Sequence, residues 1–499
     1  MKLKPILSIA LLAPFVIACN DGIQVAAPDG VRAPSYSAKV SGSFAPDLTG
    51  RFMILGQGGK LPADLQAQVE KAGGRLTSVV PEIGVAFAAA DNPDFKVRAA
   101  KIRGIGAAAP DMLLQWTQPL LARGEASVEI ELSGEVTQAA AGAPLAPTGA
   151  YYPVQWVPGA MGAPAAWAAG YTGQGVRIAI LDGGIRNTHI DLAGNMDNAR
   201  SRSFVDGQSF NADVGTFWHG THVAGIAAAS GAIGVMGIAP RATIIGAKVL
   251  HNGTGSFEAI VNAIVYAARP IASGGAGADI INMSLGASIT GPWKDKDYRD
   301  YFHELVGAVD LATRYAYQQG TLVIASAGNG AQNHDVMKEI FKSPAQNHQV
   351  LAVSSTGPIG WAYNGATNFE RPSYFTDYGK SLVGIGGPGG TAGLWVEFGV
   401  DAICTKGPLT NFCEAFDMVL NTSRGSGTSN SSYSFSQGTS MSAPAVAGVA
   451  ALVMQAQGKG NPAAVRSRLQ SSAIDYGKRG HDEWYGAGWV HAGRALGLQ

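Results

Sequence analysis

The stretch that decides the architecture reads FSQGTSMSAP over residues 435–444 and continues as an apolar run through Ala456. Small residues followed by a long apolar run predict a turn that leads into a buried helix, with Ser440 in its first turn. The first N–H groups of a helix are unpaired, and its N-terminus carries partial positive charge. A serine hydroxyl placed there can attack a carbonyl while N–H groups hold the oxyanion. A serine that only caps the helix is the alternative.

Strand-like and helix-like patterns alternate from Tyr151 onward. Short apolar runs predict strands at 176–181, 242–250, 278–285, 321–325 and 350–354. Longer periodic or small-residue runs predict helices at 219–229, 256–268, 301–318, 440–456 and 462–472. This alternation predicts an α/β fold in which helices cover both faces of a parallel sheet. Ligands of such sheets bind at the carboxyl ends of the strands.

Size and charge narrow the functional class. A chain of 499 residues has room for two or three domains and a large buried core. With 46% hydrophobic and 14% charged residues, the composition is that of a folded protein and not of a disordered one. The formal net charge is +0 at pH 7, so no basic surface predicts nucleic acid as a partner.

The N-terminus has the pattern of a targeting segment. Lys2 and Lys4 precede an apolar run over residues 6–17, which is too short to span a bilayer comfortably. The end of this segment, VIAC at 16–19, resembles the lipobox of a bacterial lipoprotein signal, although Val16 replaces the usual leucine. The resemblance implies lipidation at Cys19, with the membrane contacted only through a lipid anchor. A conventional cleaved signal with full secretion is the alternative, and both predict export.

The remainder divides by composition into four segments. Residues 20–48 are rich in Ala, Pro, Ser and Gly and predict a flexible tether, whereas 49–111 show a βαββα pattern. Residues 112–150 predict a linker in which processing would occur, and 151–499 form the large α/β domain.

The two remaining cysteines, Cys404 and Cys413, lie close together in a loop-rich region. In an oxidising compartment they predict a disulfide that closes a short loop. Two free buried thiols are the alternative.

Three polar residues stand where the predicted elements begin or end. Asp182 ends an apolar strand, His219 opens a helix of small residues, and Ser440 opens the apolar helix. A serine needs a base to remove its proton during attack, and a histidine base needs a carboxylate to fix its tautomer. The order Asp, His, Ser is one of the orders in which this triad occurs. His219 and His222 could also be read as a zinc pair, but no glutamate follows at the usual metallopeptidase spacing.

These motifs resemble the three signature motifs of the subtilases, the subtilisin-like serine endopeptidases. They read LDGG at 181–184, HGTHVAG at 219–225 and GTSMSAP at 438–444, and the resemblance extends from about 151 to 497. It implies that Asp182 is the orienting acid, His219 the general base and acid, and Ser440 the nucleophile.

Further roles follow only from this resemblance. Asn329 in ASAGN (325–329) matches the asparagine of the oxyanion hole, and Ser284-Leu285-Gly286 matches one wall of the specificity pocket. That segment would also be the edge on which an extended substrate pairs. The βαββα unit resembles the family's inhibitory propeptide, with a small independent binding domain as the alternative.

The sequence departs from the family pattern at two positions. Gly183 stands where the family usually has Ser or Thr, which removes a hydroxyl near the Asp182 carboxylate. Asp191 matches a calcium-ligating aspartate, but the partner loop at 230–234, SGAIG, lacks the expected Asn side chains. Calcium prefers six to eight oxygen ligands. Asp191 is therefore a weak calcium candidate, and a surface aspartate that caps a turn is the favoured interpretation.

The resulting expectation is an exported serine endopeptidase, either a cell-envelope lipoprotein or secreted. It would cleave protein or peptide substrates through an acyl-enzyme, with no cofactor required, and its own propeptide would inhibit it. The alternatives are an envelope-anchored binding protein that keeps the fold without the activity, and an esterase with the same triad. No motif specifies the side chain preferred at the cleavage site.

Overall fold

The computed structural model describes residues 47–92, 94–117, 145–212, 218–290, 296–425 and 430–498. The predicted signal segment, nearly all of the predicted tether and residues 118–144 of the predicted linker lie outside the described residues.

A small α+β domain forms the N-terminal part of the described chain. Its elements are β1 (Asp47–Gly56), α1 (Leu65–Lys71), β2 (Arg75–Val80), β3 (Val85–Ala89), α2 (Phe95–Ala99) and β4 (Ile105–Gln115). The strands pair antiparallel in the order β2-β3-β1-β4. A short 3-10 turn over Pro81–Ile83 separates β2 from β3. β4 was not predicted, and it carries the domain past the expected boundary at residue 111.

The large domain follows, in chain order, as α3 (Trp156–Ala160), α4 (Ala163–Ala168), β5 (Arg177–Asp182), β6 (Arg202–Ser203), α5 (His219–Ala228), β7 (Thr243–Lys248), β8 (Thr254–Ser256), α6 (Phe257–Ala268), β9 (Ile280–Met283), β10 (Ala287–Thr290), α7 (Lys296–Gln318), β11 (Leu322–Ser326), β12 (Ile340–Ser343), β13 (Val350–Thr356), β14 (Ile385–Pro388), α8 (Gly393–Val396), β15 (Ile403–Lys406), β16 (Leu409–Phe412), β17 (Val419–Ser423), β18 (Ser432–Ser436), α9 (Thr439–Gln457), α10 (Pro462–Ser471) and α11 (Ala492–Leu496).

Seven of these strands form the central sheet, in the order β14-β13-β11-β9-β5-β7-β6, and every pairing in it is parallel. Its strands are apolar on both faces because each face supports a separate core. Ile178 and Ile180 of β5 join the core beneath α5 and α9, whereas Ala179 and Leu181 join the core beneath α6 and α7. The predicted α/β fold with helices on both faces is therefore confirmed.

α9 is the central helix of the fold. It packs against β9, β11, β13 and β14, and its residues from Thr439 to Met454 are buried. Its length and apolar composition would also suit a membrane span, but that surface is covered by the sheet and the neighbouring helices. The apolar run that follows Ser440 thus serves as a core helix.

Two antiparallel hairpins occupy the segment just before α9, where the strand–helix alternation is interrupted. β15 pairs with β16 around the bonded Cys404–Cys413 pair, whose Cα atoms are 4.8 Å apart. β17 pairs with β18, and both strands are fully buried. The second hairpin packs against α5, so this part of the segment is a structural layer and not a surface loop.

Candidate active site

Asp182 and His219 are brought together at the carboxyl end of β5. The Nδ1 atom of His219 lies 2.9 Å and 2.8 Å from the two carboxylate oxygens of Asp182. Both side chains are buried. Nδ1–H donates to the carboxylate in this geometry, which fixes the tautomer that leaves Nε2 as a proton acceptor.

Glycines make this approach sterically possible. A Cβ at Gly220 would lie 2.1 Å from the carbonyl oxygen of Gly184, so only glycine lets the first turn of α5 touch the turn after Asp182. The N–H of Gly183 donates to Asp182 Oδ1 at 2.6 Å. Backbone therefore holds the carboxylate at the position where the family usually has a hydroxyl residue.

A buried lysine that was not predicted supports the same turn. The Nζ of Lys248, at the end of β7, donates to the carbonyl of Gly183, and to those of Ala212 and Leu250 at 2.9 Å and 2.8 Å. A lysine inside an otherwise apolar strand run was the signal that could have identified it.

Ser440 is held in the first turn of α9 by a reciprocal contact with Ser284. The Ser440 hydroxyl donates to the Ser284 carbonyl at 3.1 Å, and the Ser284 hydroxyl donates to the Ser440 carbonyl at 2.7 Å. The nucleophile candidate is thus attached directly to the proposed substrate edge that follows β9.

Asn329 follows β11 and is oriented by the residue before Ser440. Its Oδ1 accepts from the N–H of Thr439 at 2.9 Å and from the Thr439 hydroxyl at 2.8 Å. Because the amide oxygen is occupied in this way, the Nδ2 donor is turned to the other side. A Cβ at Gly438 would lie 3.3 Å from that Nδ2, which places the donor beside the turn into α9.

The two halves of the site meet through the packing of α5 against α9, the helices that carry His219 and Ser440. His222, one turn after His219, links α5 to the β17–β18 hairpin. Its Nε2–H is shared between the carbonyls of Val419 and Ser434, at 3.2 Å and 3.1 Å. Burial lowers the pKa of His222 to about 3, so this imidazole is neutral and has a packing role.

The edge at 284–286 already receives a strand-like segment from the small N-terminal domain. β4 pairs antiparallel with β8, and the N–H of Gly286 donates to the carbonyl of Trp116 at 2.7 Å. The indole of Trp116 is buried against Phe257 with ring centroids 5.3 Å apart, and its Nε1–H donates to the carbonyl of Gly255. The Trp116 carbonyl therefore lies on the edge where an extended substrate would pair, while residues 113–115 pair with β8.

Asp191 does not fit a calcium site. One carboxylate oxygen accepts from the N–H of Ile233, and the other from the N–H groups of Gly234 and Val235 and from the Tyr433 hydroxyl. Four donors occupy the oxygens that an ion would need. Asp191 caps a turn, as the favoured interpretation predicted. The prediction that it lies on the surface was wrong, because its side chain is fully buried. Among the residues that the structure describes, no group of three His, Cys, Asp or Glu side chains is arranged to hold a metal.

Comparisons with known proteins agree with this architecture. A model of the subtilase family matches residues 173–488. Subtilisin DY of Bacillus licheniformis is 31% identical over 326 residues, which cover 65% of this chain and 92% of that protein. Thermitase of Thermoactinomyces vulgaris is 30% identical over 345 residues, which cover 68% of this chain and 95% of that protein.

A solved structure extends the likeness in fold to the N-terminal domain. The epidermin leader peptide processing serine protease of Staphylococcus aureus superposes with a TM-score of 0.64 at 20% identity, covering 91% of this chain and 99% of that one. At this identity the match concerns the fold alone. The family match and the subtilisin and thermitase relatives carry the assignment: the chain belongs to the subtilase family and is a serine endopeptidase.

Proposed function

We propose that this protein is an exported serine endopeptidase that hydrolyses peptide bonds through Asp182, His219 and Ser440. The observation that carries the proposal is the contact between His219 Nδ1 and the Asp182 carboxylate, at 2.8 Å to the nearer oxygen. It fixes the tautomer in which Nε2 can accept the proton of the nucleophile, on a helix packed against the one that bears Ser440.

The proposed reaction uses side chains and backbone N–H groups alone. His219 removes the hydroxyl proton as Ser440 attacks the carbonyl carbon, and Asp182 stabilises the imidazolium that forms. The Asn329 amide and the Ser440 N–H hold the oxyanion. His219 then passes the proton to the leaving amine, and water hydrolyses the acyl-enzyme by the same steps.

The substrates would be extended protein or peptide chains. Ser284, Leu285 and Gly286 would pair with the backbone of the substrate, as the Gly286 N–H already does with the Trp116 carbonyl. Main-chain pairing of this kind is independent of sequence, so selectivity would depend on the side-chain pockets beside it.

Residues 49–117 would act as an inhibitory propeptide. Two features support this role: the Trp116 carbonyl, just after β4, accepts from the Gly286 N–H of the proposed substrate edge, and polar groups join the two domains. Glu258 of α6 accepts from Arg51 at 2.7 Å, from Thr77 at 2.9 Å and from Ser78 at 2.8 Å. The maturation cut would fall after Thr117, in the predicted processing region.

Export would follow from the N-terminal segment, with Cys19 as the lipidation site or with full secretion. The bonded pair Cys404–Cys413 suits such a compartment.

The test is covalent labelling of the matured protein by a serine-directed fluorophosphonate. We expect labelling of Ser440 and hydrolysis of casein, with both lost in Ser440→Ala. Amide and ester substrates compared side by side would separate a peptidase from an esterase. A matured protein that neither labels nor hydrolyses casein would contradict the proposal and favour a binding role.

A further inference from the structure

The gap beside Ser440 is framed by two glycine-containing segments. Residues 284–286 follow β9, and residues 327–329 follow β11, the neighbouring parallel strand. Ser440 is bonded to the first segment, and Asn329 ends the second. A peptide whose carbonyl lies between Ser440 and Asn329 must therefore place the side chain of that residue, termed P1, between the two segments.

Lys342 of β12 crosses this gap. A Cβ at Gly328 would lie 2.4 Å from Lys342 Cε, and a Cβ at Gly286 would lie 3.5 Å from the same atom. β12 pairs with β10 so that Lys342 faces Ser288, and its Nζ donates to the Ser288 hydroxyl at 2.8 Å. The aliphatic stem of Lys342 thus lies between the two glycines and fills the space that a long P1 side chain would need.

Asp377 fixes the lysine in that position. Its Oδ2 lies 3.2 Å from Lys342 Nζ, and its Oδ1 accepts from the N–H groups of Gly330 and Gln332 at 2.8 Å and 3.0 Å. Burial would raise the pKa of Asp377, but the Lys342 ammonium and the hydrogen bonds hold it below its usual value. The carboxylate is therefore ionised, between the Lys342 ammonium and the imidazole of His334, whose Nε2 lies 3.6 Å from Asp377 Oδ2.

We propose that the Lys342–Asp377 ion pair closes this gap and restricts the P1 residue of the substrate to glycine, alanine or serine. A large side chain would have to displace a buried, hydrogen-bonded ion pair. A carboxylate at P1 would lose its hydration and would lie near the Asp377 carboxylate as well as near Lys342. A cation at P1 would first come close to the Lys342 ammonium, which repels it. The proposal rests on the proposed function, because the gap is a substrate site only if Ser440 is the nucleophile.

The first measurement compares kcat/KM of the matured enzyme on peptides that differ only at P1. We expect alanine to exceed leucine, phenylalanine, glutamate and lysine by about tenfold or more, since a pocket discriminates on this scale by single groups. Equal or faster cleavage after phenylalanine or glutamate would overturn the proposal.

Variants then separate the volume of Lys342 from its charge. Lys342→Ala opens the gap and leaves Asp377 with His334 as its remaining neighbour of basic type, so phenylalanine and lysine at P1 should gain about tenfold relative to alanine. Lys342→Met keeps the volume of the stem and should keep the preference for alanine. An unchanged P1 profile in Lys342→Ala would contradict the assignment.

Fluorophosphonate labelling of Ser440 shows which variants keep an intact site. If Lys342→Ala is not labelled, it is replaced by the double variant Lys342→Ala/Asp377→Ser, which removes both charges. If the double variant is not labelled either, the P1 profile of the wild-type enzyme decides. Failure of the proposed function would show as absence of labelling in the wild type, whereas a labelled enzyme that prefers large or charged P1 residues would refute only the role of the ion pair.

Discussion

Asp182, on the side of the proposed active site (the catalytic side), and Asp111, in the proposed propeptide (the propeptide side), are both buried, yet their surroundings differ. Both Asp182 oxygens face His219, and Oδ1 also accepts from the Gly183 N–H. Asp111 accepts through Oδ1 from the N–H groups of Met112 and Phe257, while its Oδ2 has no hydrogen-bond partner among the described residues. Burial, and then the neighbouring Glu258 carboxylate, raise the pKa of Asp111 to about 7.

The surroundings of Asp182 belong to the proposed active site, which remains after maturation. Those of Asp111 belong to the contact between the proposed propeptide and the large domain, which has to be released. A buried carboxyl whose second oxygen lacks a hydrogen bond, such as that of Asp111, exchanges a proton within an ordinary pH range. Changes on the catalytic side should therefore alter turnover alone. Changes on the propeptide side should alter the affinity of the inhibitor alone.

The largest effect is expected for Asp182→Asn. An amide cannot impose the same tautomer on His219, so kcat should fall by about 10⁴-fold in the matured enzyme. Propeptide affinity, measured by displacement of a fluorescent propeptide, should stay within a few-fold. A parallel loss of both quantities would show that the two regions are coupled.

Asn329→Ala should lower kcat by about 10²–10³-fold, because it removes an oxyanion donor and leaves His219 unaffected. Thr439→Val is the matched change at the residue that orients Asn329, because it removes one of the two hydrogen-bond donors to the Asn329 amide oxygen. It should cost less than Asn329→Ala. KM for a small peptide should change little in both variants.

The inhibition constant of residues 49–117 added in trans should depend on pH. Asp111 is protonated below about pH 7 in the complex and ionised above about pH 4 in the free propeptide, so binding takes up a proton between these values. Affinity should be greatest in acid, fall by up to about tenfold per pH unit towards pH 7, and level off above it. Asp111→Asn should flatten the profile, whereas Asp91→Asn, at an exposed position of the same domain, should retain it.

The smallest effect is expected for Arg51→Met. Arg51 pairs with Glu258 across the domain contact, and its side chain is 28% exposed, which weakens the pair. The inhibition constant should rise by about two- to fivefold, with no change in kcat after maturation. Lys60→Met, at an exposed position of the same domain, is the control. Equal effects of Arg51→Met and Lys60→Met on the inhibition constant would show that Arg51 contributes only through the positive charge of the domain.

Much of the catalytic side could be predicted because each residue lies within a short local motif. Asp182 ends an apolar strand, and His219 and Ser440 stand at helix starts, so local pattern places all three at one edge of a parallel sheet. Lys342 was missed because its position depends on the pairing of β10 with β12, and on Asp377, which comes 35 residues later in the chain.

The other features that the sequence did not predict correctly also depend on contacts between residues far apart in the chain. The sequence of β4, IGAAAPDMLLQ, does not alternate and contains Pro110, so its strand state depends on partners in β1 and β8. Asp191 was placed at the surface because its hydroxyl partner, Tyr433, lies 242 positions away. Long-range pairings of this kind cannot be predicted from a short stretch of sequence.

The β17–β18 hairpin bears on how the enzyme loses activity when heated. It leads directly into α9, and the Thr422 hydroxyl donates to the carbonyl of Thr221 in α5 at 2.7 Å. A Cβ at Gly225 would lie 2.1 Å from Asn421 Oδ1, so the hairpin and α5 are in close contact. The helices that carry His219 and Ser440 are thus held by one shared layer. Thermal inactivation should then follow the cooperative melting of the whole domain, without an earlier local loss of the site.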